Sequence, residues 1–307
     1  MVDLSIELAD MALASPLIGA AGTCGYGQEL ADINRLRGLG AIITKSITLE
    51  PREGNPPMRV ADLPTGMLNA IGLANVGLDA FICDIAPSLR DLPIPAIASV
   101  AGESIDQYDQ VVAAMQAITS IRAVEINVSC PNTDEGRTFA DSPEALRELL
   151  ADLRRVLKST TMIVKLPLDF EKPSIAAEVA IAAGADALTL INTVPGMAID
   201  VRSRKSRIGR WSGGVSGRGI HPLAVRMVAD VYRDLAKPAG VPIIGIGGVM
   251  RWQDAAEFIL AGATAVGMGT AHFVDPRRPA KVLKGLRRWA ASQGVDRISS
   301  LVGQFEG

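Results

Sequence analysis

Histidine is nearly missing from this chain. There are two in 307 residues, His221 and His272, which excludes a metal centre built from several imidazoles. Cysteine is almost as scarce, with Cys24, Cys83 and Cys130 far apart and no C-x-x-C pair. Such a set supports neither a disulfide framework nor a zinc spacing, and it suits a reducing, cytoplasmic setting. Aromatic residues are limited to 6 Phe, 3 Trp and 3 Tyr, too few for a base-stacking platform. Charge of either sign is not in excess: 31 basic against 33 acidic side chains leave −2. That balance gives no general attraction to nucleic acid or to an anionic membrane. No apolar run reaches the ~18 residues of a membrane span. The opening MVDLSIELADMALASP carries acids where a secretory leader needs basic residues. What is present is a globular composition, 48% apolar and 21% charged, expected to be metal-free and cytoplasmic.

The chain has a rhythm. Short apolar runs rich in β-branched residues fall at 16–22, 41–46, 95–102, 123–129, 162–167, 187–193, 242–248 and 265–270. Each is apolar at nearly every position, as parallel strands buried on both faces must be. Amphipathic stretches lie between them, such as 143–158 and 222–237. The first follows Ser142 as N-cap, with Pro143 at the first helical position and Glu144 in the first turn. Gly40-Ala41, Gly184-Ala185, Gly240-Val241 and Gly262-Ala263 each precede a strand, and these glycines read as left-handed helix ends. Eight strand–helix units of ordinary length fit an α/β fold of the (β/α)8 TIM-barrel type. A doubly wound open sheet shares the same local signals and stands as the alternative. No Ser/Gly/Pro-rich linker divides the chain, so residues 1–307 are read as one domain. Two connections, 47–76 and 194–220, are long. In a barrel both lie at the C-terminal face, where loops build the active site.

The informative residues are polar groups at strand ends. Lys45 ends the second run, Asn127 and Ser129 the fourth, Lys165 the fifth, Asn192 and Thr193 the sixth. One lysine or asparagine in such a place is commonly a solvated terminus or a turn former. Several on four strands point instead to one shared mouth. Gly245-Ile246-Gly247-Gly248 and Gly267-Met268-Gly269-Thr270 end the last two runs. Glycines there let backbone N–H groups approach a phosphate, as isomerases, aldolases and FMN enzymes all allow. The pattern indicates phosphate without saying which. Cys130 opens a polar loop, 131–142, able to act as a lid. No histidine stands near it in sequence, but a thiolate is a competent general base when its proton affinity is tuned. Cys24 sits in a glycine-rich loop after the first run, and Cys83, inside the helical run 78–90, is expected in the core. The loop 202–210 holds Arg202, Arg204, Lys205, Arg207 and Arg210, read first as a solvated surface and second as a contact for phosphate or an acidic partner.

Taken in order, these residues resemble one family. Thr44-Lys45-Ser46, the segment Pro51 to Pro56, Gly66-Met67-Leu68-Asn69-Ala70-Ile71-Gly72-Leu73 and Asn127-Val128-Ser129-Cys130-Pro131-Asn132 come first. Val164-Lys165-Leu166, Ile191-Asn192-Thr193, Gly213 to Gly217, Gly247-Gly248 and Gly269-Thr270 follow. The set resembles the class 1 dihydroorotate dehydrogenases, and within them the catalytic subunit of class 1B. A cysteine rather than a serine in the lid loop is the class 1 pattern.

The resemblance implies an FMN enzyme that oxidises dihydroorotate to orotate in pyrimidine (UMP) synthesis. Cys130 would take the C5 proton while hydride leaves C6 for flavin N5. Lys45, Asn69, Ala70, Ile71, Gly72, Leu73, Asn127, Asn132, Asn192 and Thr193 would line the substrate; asparagine offers both donor and acceptor to a flat ring. Ala21, Lys45, Ser46, Ser99, Asn127, Lys165, Ile191, Gly217, Gly247, Gly248, Gly269 and Thr270 would line FMN, Lys165 stabilising the reduced ring electrostatically. Two positions depart from the family pattern: Ser99 replaces a usual asparagine, and Ala21 a common serine. The resemblance also implies an electron-transfer partner carrying FAD and a [2Fe-2S] cluster and passing electrons to NAD+, around a homodimer core in a heterotetramer. Three cysteines cannot themselves hold such a cluster, which normally takes four ligands. Rival readings are a flavin enzyme for another pyrimidine, and a phosphosugar isomerase or lyase with Lys165 as Schiff-base lysine.

Overall fold

In the computed structural model, which describes residues 2–34, 36–129, 138–168 and 173–306, each of the eight apolar runs forms a strand. They are β1 (Leu17–Gly19), β2 (Ala41–Ile43), β3 (Ala96–Val100), β4 (Ile121–Asn127), β5 (Thr161–Leu166), β6 (Ala187–Leu190), β7 (Ile243–Ile246) and β8 (Ala265–Met268). All pair in parallel with their chain neighbours, and β8 closes onto β1, with Gly267 opposite Ile18. The open sheet is therefore excluded and the barrel is the fold. β2, β3, β5, β6, β7 and β8 are buried at every residue, which is why the sequence shows continuous apolar runs in place of alternation.

Helices cover the outside. They are α1 (Gln28–Asn34), α2 (Ile105–Ala117), α3 (Pro143–Val156), α4 (Pro173–Ala182), α5 (His221–Val231), α6 (Trp252–Ala261) and α7 (Arg278–Ser292). In α3 the buried positions are Leu146, Leu149, Leu150 and Leu153, one stripe of helical period against the barrel. Ser142 Oγ accepts from the Ala145 amide at 3.2 Å, so the expected cap forms. Gly184, Gly240 and Gly262 are left-handed at the helix ends, with φ of 85°, 70° and 117°. Gly40 is different. The left-handed residues of that turn are Leu36 and Gly38, at φ 53° and 91°. Gly40 is needed for space, because a Cβ there would collide with the Ser15 carbonyl. Cys83 also departs from expectation. The segment from Leu78 to Asp91 widens over Phe81–Ile85, turning Phe81, Ala86 and Leu89 inward and leaving Cys83 exposed. Among the described residues no helix is long and apolar enough to cross a membrane.

The two long connections meet. Strand segments Val60–Leu63 and Gly66–Asn69 from the first join Val194–Gly196 and Gly213–Ser216 from the second in one antiparallel sheet. Gly214 pairs with Asn69 and Val215 with Leu68. Ala61, Leu68, Ala70 and Ile208 give this sheet its own small core.

A carboxyl lies inside the barrel. Glu125 of β4 is fully buried; its Oε2 accepts from Thr189 Oγ1 at 2.8 Å, while Oε1 has no partner among the described residues. Burial raises its pKa, against the opposing pull of the nearby Lys165 charge and the Thr189 hydroxyl. The folded protein thus holds this proton more tightly than the unfolded chain does. Folding stability falls as pH rises above 4.5, the ordinary value for this carboxyl. Glu125→Gln, which keeps an acceptor for Thr189, is expected to remove that fall. In urea titrations from pH 4.5 to 7 the variant gains on the wild type by up to about 1.4 kcal/mol per pH unit. Parallel curves would show that the carboxyl ionises as an ordinary one. A second substitution tests the packing: Gly40→Ala should cost roughly 1–3 kcal/mol in the same assay, and no loss would mean that the Ser15 turn yields freely.

Candidate active site

Barrel closure carries the C-terminal ends of all eight strands to one rim, and a cavity of about 880 Å³ opens there under the two-loop sheet. Its lining contains Lys45, Ser46, Asn127, Lys165, Ile191, Asn192 and Thr193 from the ends of β2, β4, β5 and β6. Asn69, Ala70, Ile71, Gly72 and Leu73 come from the first long connection, Gly217 from the second. Ala21 follows β1, and Gly247, Gly248, Gly269 and Thr270 follow β7 and β8. One residue of the expected set stands apart. Ser99 does not line the cavity; it is wholly buried, and its Oγ lies 2.8 Å from the Ser46 Oγ, so it supports Ser46 from below. Cys130 and Asn132 lie outside the described residues.

The amides are held in place. Asn192 Nδ2 donates to Asn127 Oδ1 at 3.1 Å, and the Thr193 amide donates to Asn192 Oδ1 at 2.8 Å. The Asn127 carbonyl accepts from the Tyr108 hydroxyl at 2.7 Å, anchoring the end of β4 to α2. Asn69 Nδ2 donates to the Gly214 carbonyl at 3.0 Å, which ties its side chain to the neighbouring strand of the mouth sheet. Fixed amides of this kind keep one donor and acceptor geometry for a ligand.

Two lysines bring positive charge to the cavity. Lys165 shares its register with Asn127 on one side and Thr189 on the other and is 8% exposed. Lys45 is half-buried. Burial lowers its pKa first, the Arg59 charge lowers it further, and Glu29 opposes both. An anion placed beside Lys45 would relieve that cost.

The far end of the cavity suits a phosphate. Gly247 and Gly248 have φ of 150° and 68°, and a Cβ on Gly248 would lie 2.8 Å from the Gly217 carbonyl oxygen. A Cβ on Gly269 would meet only ordinary contacts at 3.6 Å, so this glycine faces open space. No acceptor among the described residues takes the amides of Gly247, Gly248 or Thr270. Thr270 Oγ1 donates to Ser216 Oγ at 2.8 Å and joins the β8 end to the mouth sheet. Unsatisfied backbone donors around space without side chains are what a phosphate group requires.

Sequence reading missed part of the lining. Asn55, Met67, Thr23, Trp211, Ser212 and Phe273 also border the cavity. Asn55 and Met67 fall in motifs whose other members were singled out. Trp211 and Phe273 are exposed at 81% and 60%, and nothing in a local pattern marks an isolated aromatic as a rim residue. Of the basic loop, only Gly209 and Arg210 reach the cavity; Arg202, Arg204, Lys205 and Arg207 are solvated around a small hairpin. Cys24 is inert. Burial pushes its thiol up to about 12, and His272, whose Nδ1 is 3.5 Å away, is pushed down by burial to about 4. Both stay neutral and pack the loop after β1 against the one after β8.

Comparison with known proteins agrees with this arrangement. The dihydroorotate dehydrogenase family profile matches residues 3–289. A protein of Trichlorobacter lovleyi named dihydroorotate dehydrogenase B (NAD(+)), catalytic subunit, is 44% identical over 99% of each chain. Namesakes from Pelobacter propionicus and Phocaeicola vulgatus are 43% and 41% identical, covering 99% and 100% of this chain and of their own length. Among solved structures, DHODH of Eimeria tenella in complex with ferulenol superposes with a TM-score of 0.82, covering 98% of this chain and 88% of that one. At 22% identity that likeness shows the fold alone. With the barrel, the lysine and asparagine rim and a full-length likeness above 40%, the chain belongs to the dihydroorotate dehydrogenase family.

Proposed function

We propose that this chain is the FMN-binding catalytic subunit of an NAD-linked dihydroorotate dehydrogenase, oxidising (S)-dihydroorotate to orotate for pyrimidine synthesis. The observation that carries the reading is one cavity holding two lysines, three fixed asparagines and a glycine-lined anion cradle. Dihydroorotate is a small cyclic anion with alternating donors and acceptors along the amide edge of its ring. Asn69, Asn127 and Asn192 meet those edges, with Thr193 beside them and Asn132 assigned from the sequence motif. Lys45 faces the negative charge that its own environment favours.

The flavin fits the remainder of the lining. Gly217, Gly247, Gly248, Gly269 and Thr270 would hold the phosphate, Ala21, Ser46 and Ile191 the body of the cofactor, and Lys165 the pyrimidine end of the ring. Bound FMN supplies the acceptor for the hydride that leaves C6 of the substrate. Cys130 is the general base for the C5 proton, an assignment that rests on the sequence motif. A thiol suffices there because loss of hydride from C6 makes the neighbouring proton more acidic. Ile71 and Leu73 would add apolar lining beside the reacting carbons.

Electrons then leave the chain. The relatives' names describe a catalytic subunit and NAD(+), which supports a separate electron-transfer subunit. On the family pattern that partner carries FAD and a [2Fe-2S] cluster. The localisation this implies is the cytoplasm.

The purified chain should be yellow and should convert dihydroorotate to orotate with an artificial dye as acceptor, followed by the absorbance of orotate. Reduction of NAD+ by the chain alone should be negligible. Orotate formation undetectable with any acceptor, in protein that holds FMN, would remove the substrate assignment. Cys130→Ala should keep its colour and bind orotate while losing turnover by ~10²–10⁴-fold. Turnover within a few-fold of wild type would rule out Cys130 as the base.

A further inference from the structure

His221 begins α5, outside the cavity, yet it touches the cradle from behind. Its Nδ1 lies 2.7 Å from the Gly247 carbonyl oxygen. A carbonyl oxygen only accepts, so Nδ1 carries the proton. The ring is also held by packing edge-on against Phe258 with centroids 5.1 Å apart; its Nε2 lies 3.4 Å from Glu257 Oε2 without a hydrogen bond. His221 is absent from the cavity lining that Gly247 and Gly248 form, so the Gly247 carbonyl points out of the cavity. The Gly247–Gly248 peptide is trans. In a planar trans peptide the C=O of one residue and the N–H of the next point in opposite directions. Holding the carbonyl outward therefore turns the Gly248 N–H inward, and that amide is one of those without an acceptor among the described residues.

We propose that His221 is a positioning residue for the cofactor phosphate: by fixing the Gly247 carbonyl it aims the Gly248 amide into the cradle. Glycines at 247 and 248, with φ of 150° and 68°, adopt backbone states that other residues avoid, and they flip their shared peptide at little cost. Without an outside contact the amide would sample both directions, and the cradle would not be preorganised. His221 removes that freedom. Asp254 and Glu257 also lie within 4.8 Å of the imidazole, an arrangement that resembles a cation site. Asp254, however, already accepts from the Met250 and Arg251 amides and pairs with the Arg251 guanidinium, so it acts as the cap of α6. The role of His221 is thus read from the carbonyl it binds.

This inference rests on the FMN reading, and the test separates the two. Flavin-stripped protein is titrated with FMN and with riboflavin, which lacks the phosphate, following the quenching of flavin fluorescence. Wild type should prefer FMN. His221→Ala should weaken FMN roughly tenfold, the scale of one hydrogen bond to a charged group, and leave riboflavin unchanged. His221→Asn, whose Nδ2 branches from the same carbon position as Nδ1, should restore FMN binding to within about threefold of wild type. Unchanged FMN affinity in the alanine variant, or equal losses for both flavins, would overturn the proposal, the second outcome marking a structural role only. Wild-type protein that binds neither flavin would overturn the cofactor reading itself.

Discussion

Closure of the parallel barrel is the constraint on which everything else depends. Eight strands running the same way and joined edge to edge have no free edge, and their C-terminal ends share one rim. A side chain inside the barrel below that rim is fully buried, so polar groups collect where each strand leaves the sheet. Lys45, Asn127, Lys165 and Asn192 are far apart in the chain and meet because each stands at the same point of its own strand–helix unit. The long connections then add a roof. Each forms an antiparallel strand pair of its own, and the pairing of Gly214 with Asn69 joins the two pairs, over a hundred residues apart, into one sheet.

Below the rim the low dielectric makes every polar group consequential. Glu125, Thr189 and Ser99 occupy interior positions of β4, β6 and β3, and Lys165 of β5 is level with Thr189 and two residues beyond the position opposite Glu125. Ser99 supports Ser46, and Thr189 satisfies one oxygen of Glu125. Burial raises the proton affinity of Glu125, and the nearby Lys165 charge and the Thr189 hydroxyl oppose that rise. The amide pair Asn127 and Asn192 is fixed by hydrogen bonds from its own surroundings, so ordering it costs little when a ligand arrives.

Much of this was legible in the sequence, for a physical reason. Strands buried on both faces must be apolar throughout, so all eight runs stood out. Ser142 and Pro143 announced α3 because an N-cap is a local interaction. Long-range approach left no such trace. Gly40 looked like a helix cap beside Ala41, but its purpose is set by Ser15 of another segment. Cys83 fell at an apolar position of a regular helical count, and the widened turn at Phe81–Ile85 moved it outward. Glu125 carries its own signal, a carboxylate among the apolar Ala123, Val124 and Ile126 of a strand buried over that stretch. The expected site residues rest on family motifs in register; periodicity alone gives the rim without its chemistry. In the sequence His221 is only one of two histidines, and its contact with the Gly247 carbonyl is a long-range one with no local trace.

The central claim is that this cavity brings dihydroorotate to a flavin. An anaerobic titration of the yellow protein with dihydroorotate tests it most directly. The account predicts that about one equivalent bleaches the flavin absorbance, as hydride transfer to a single bound cofactor requires. Flavin that stays oxidised in excess dihydroorotate, yet bleaches with dithionite, would contradict it.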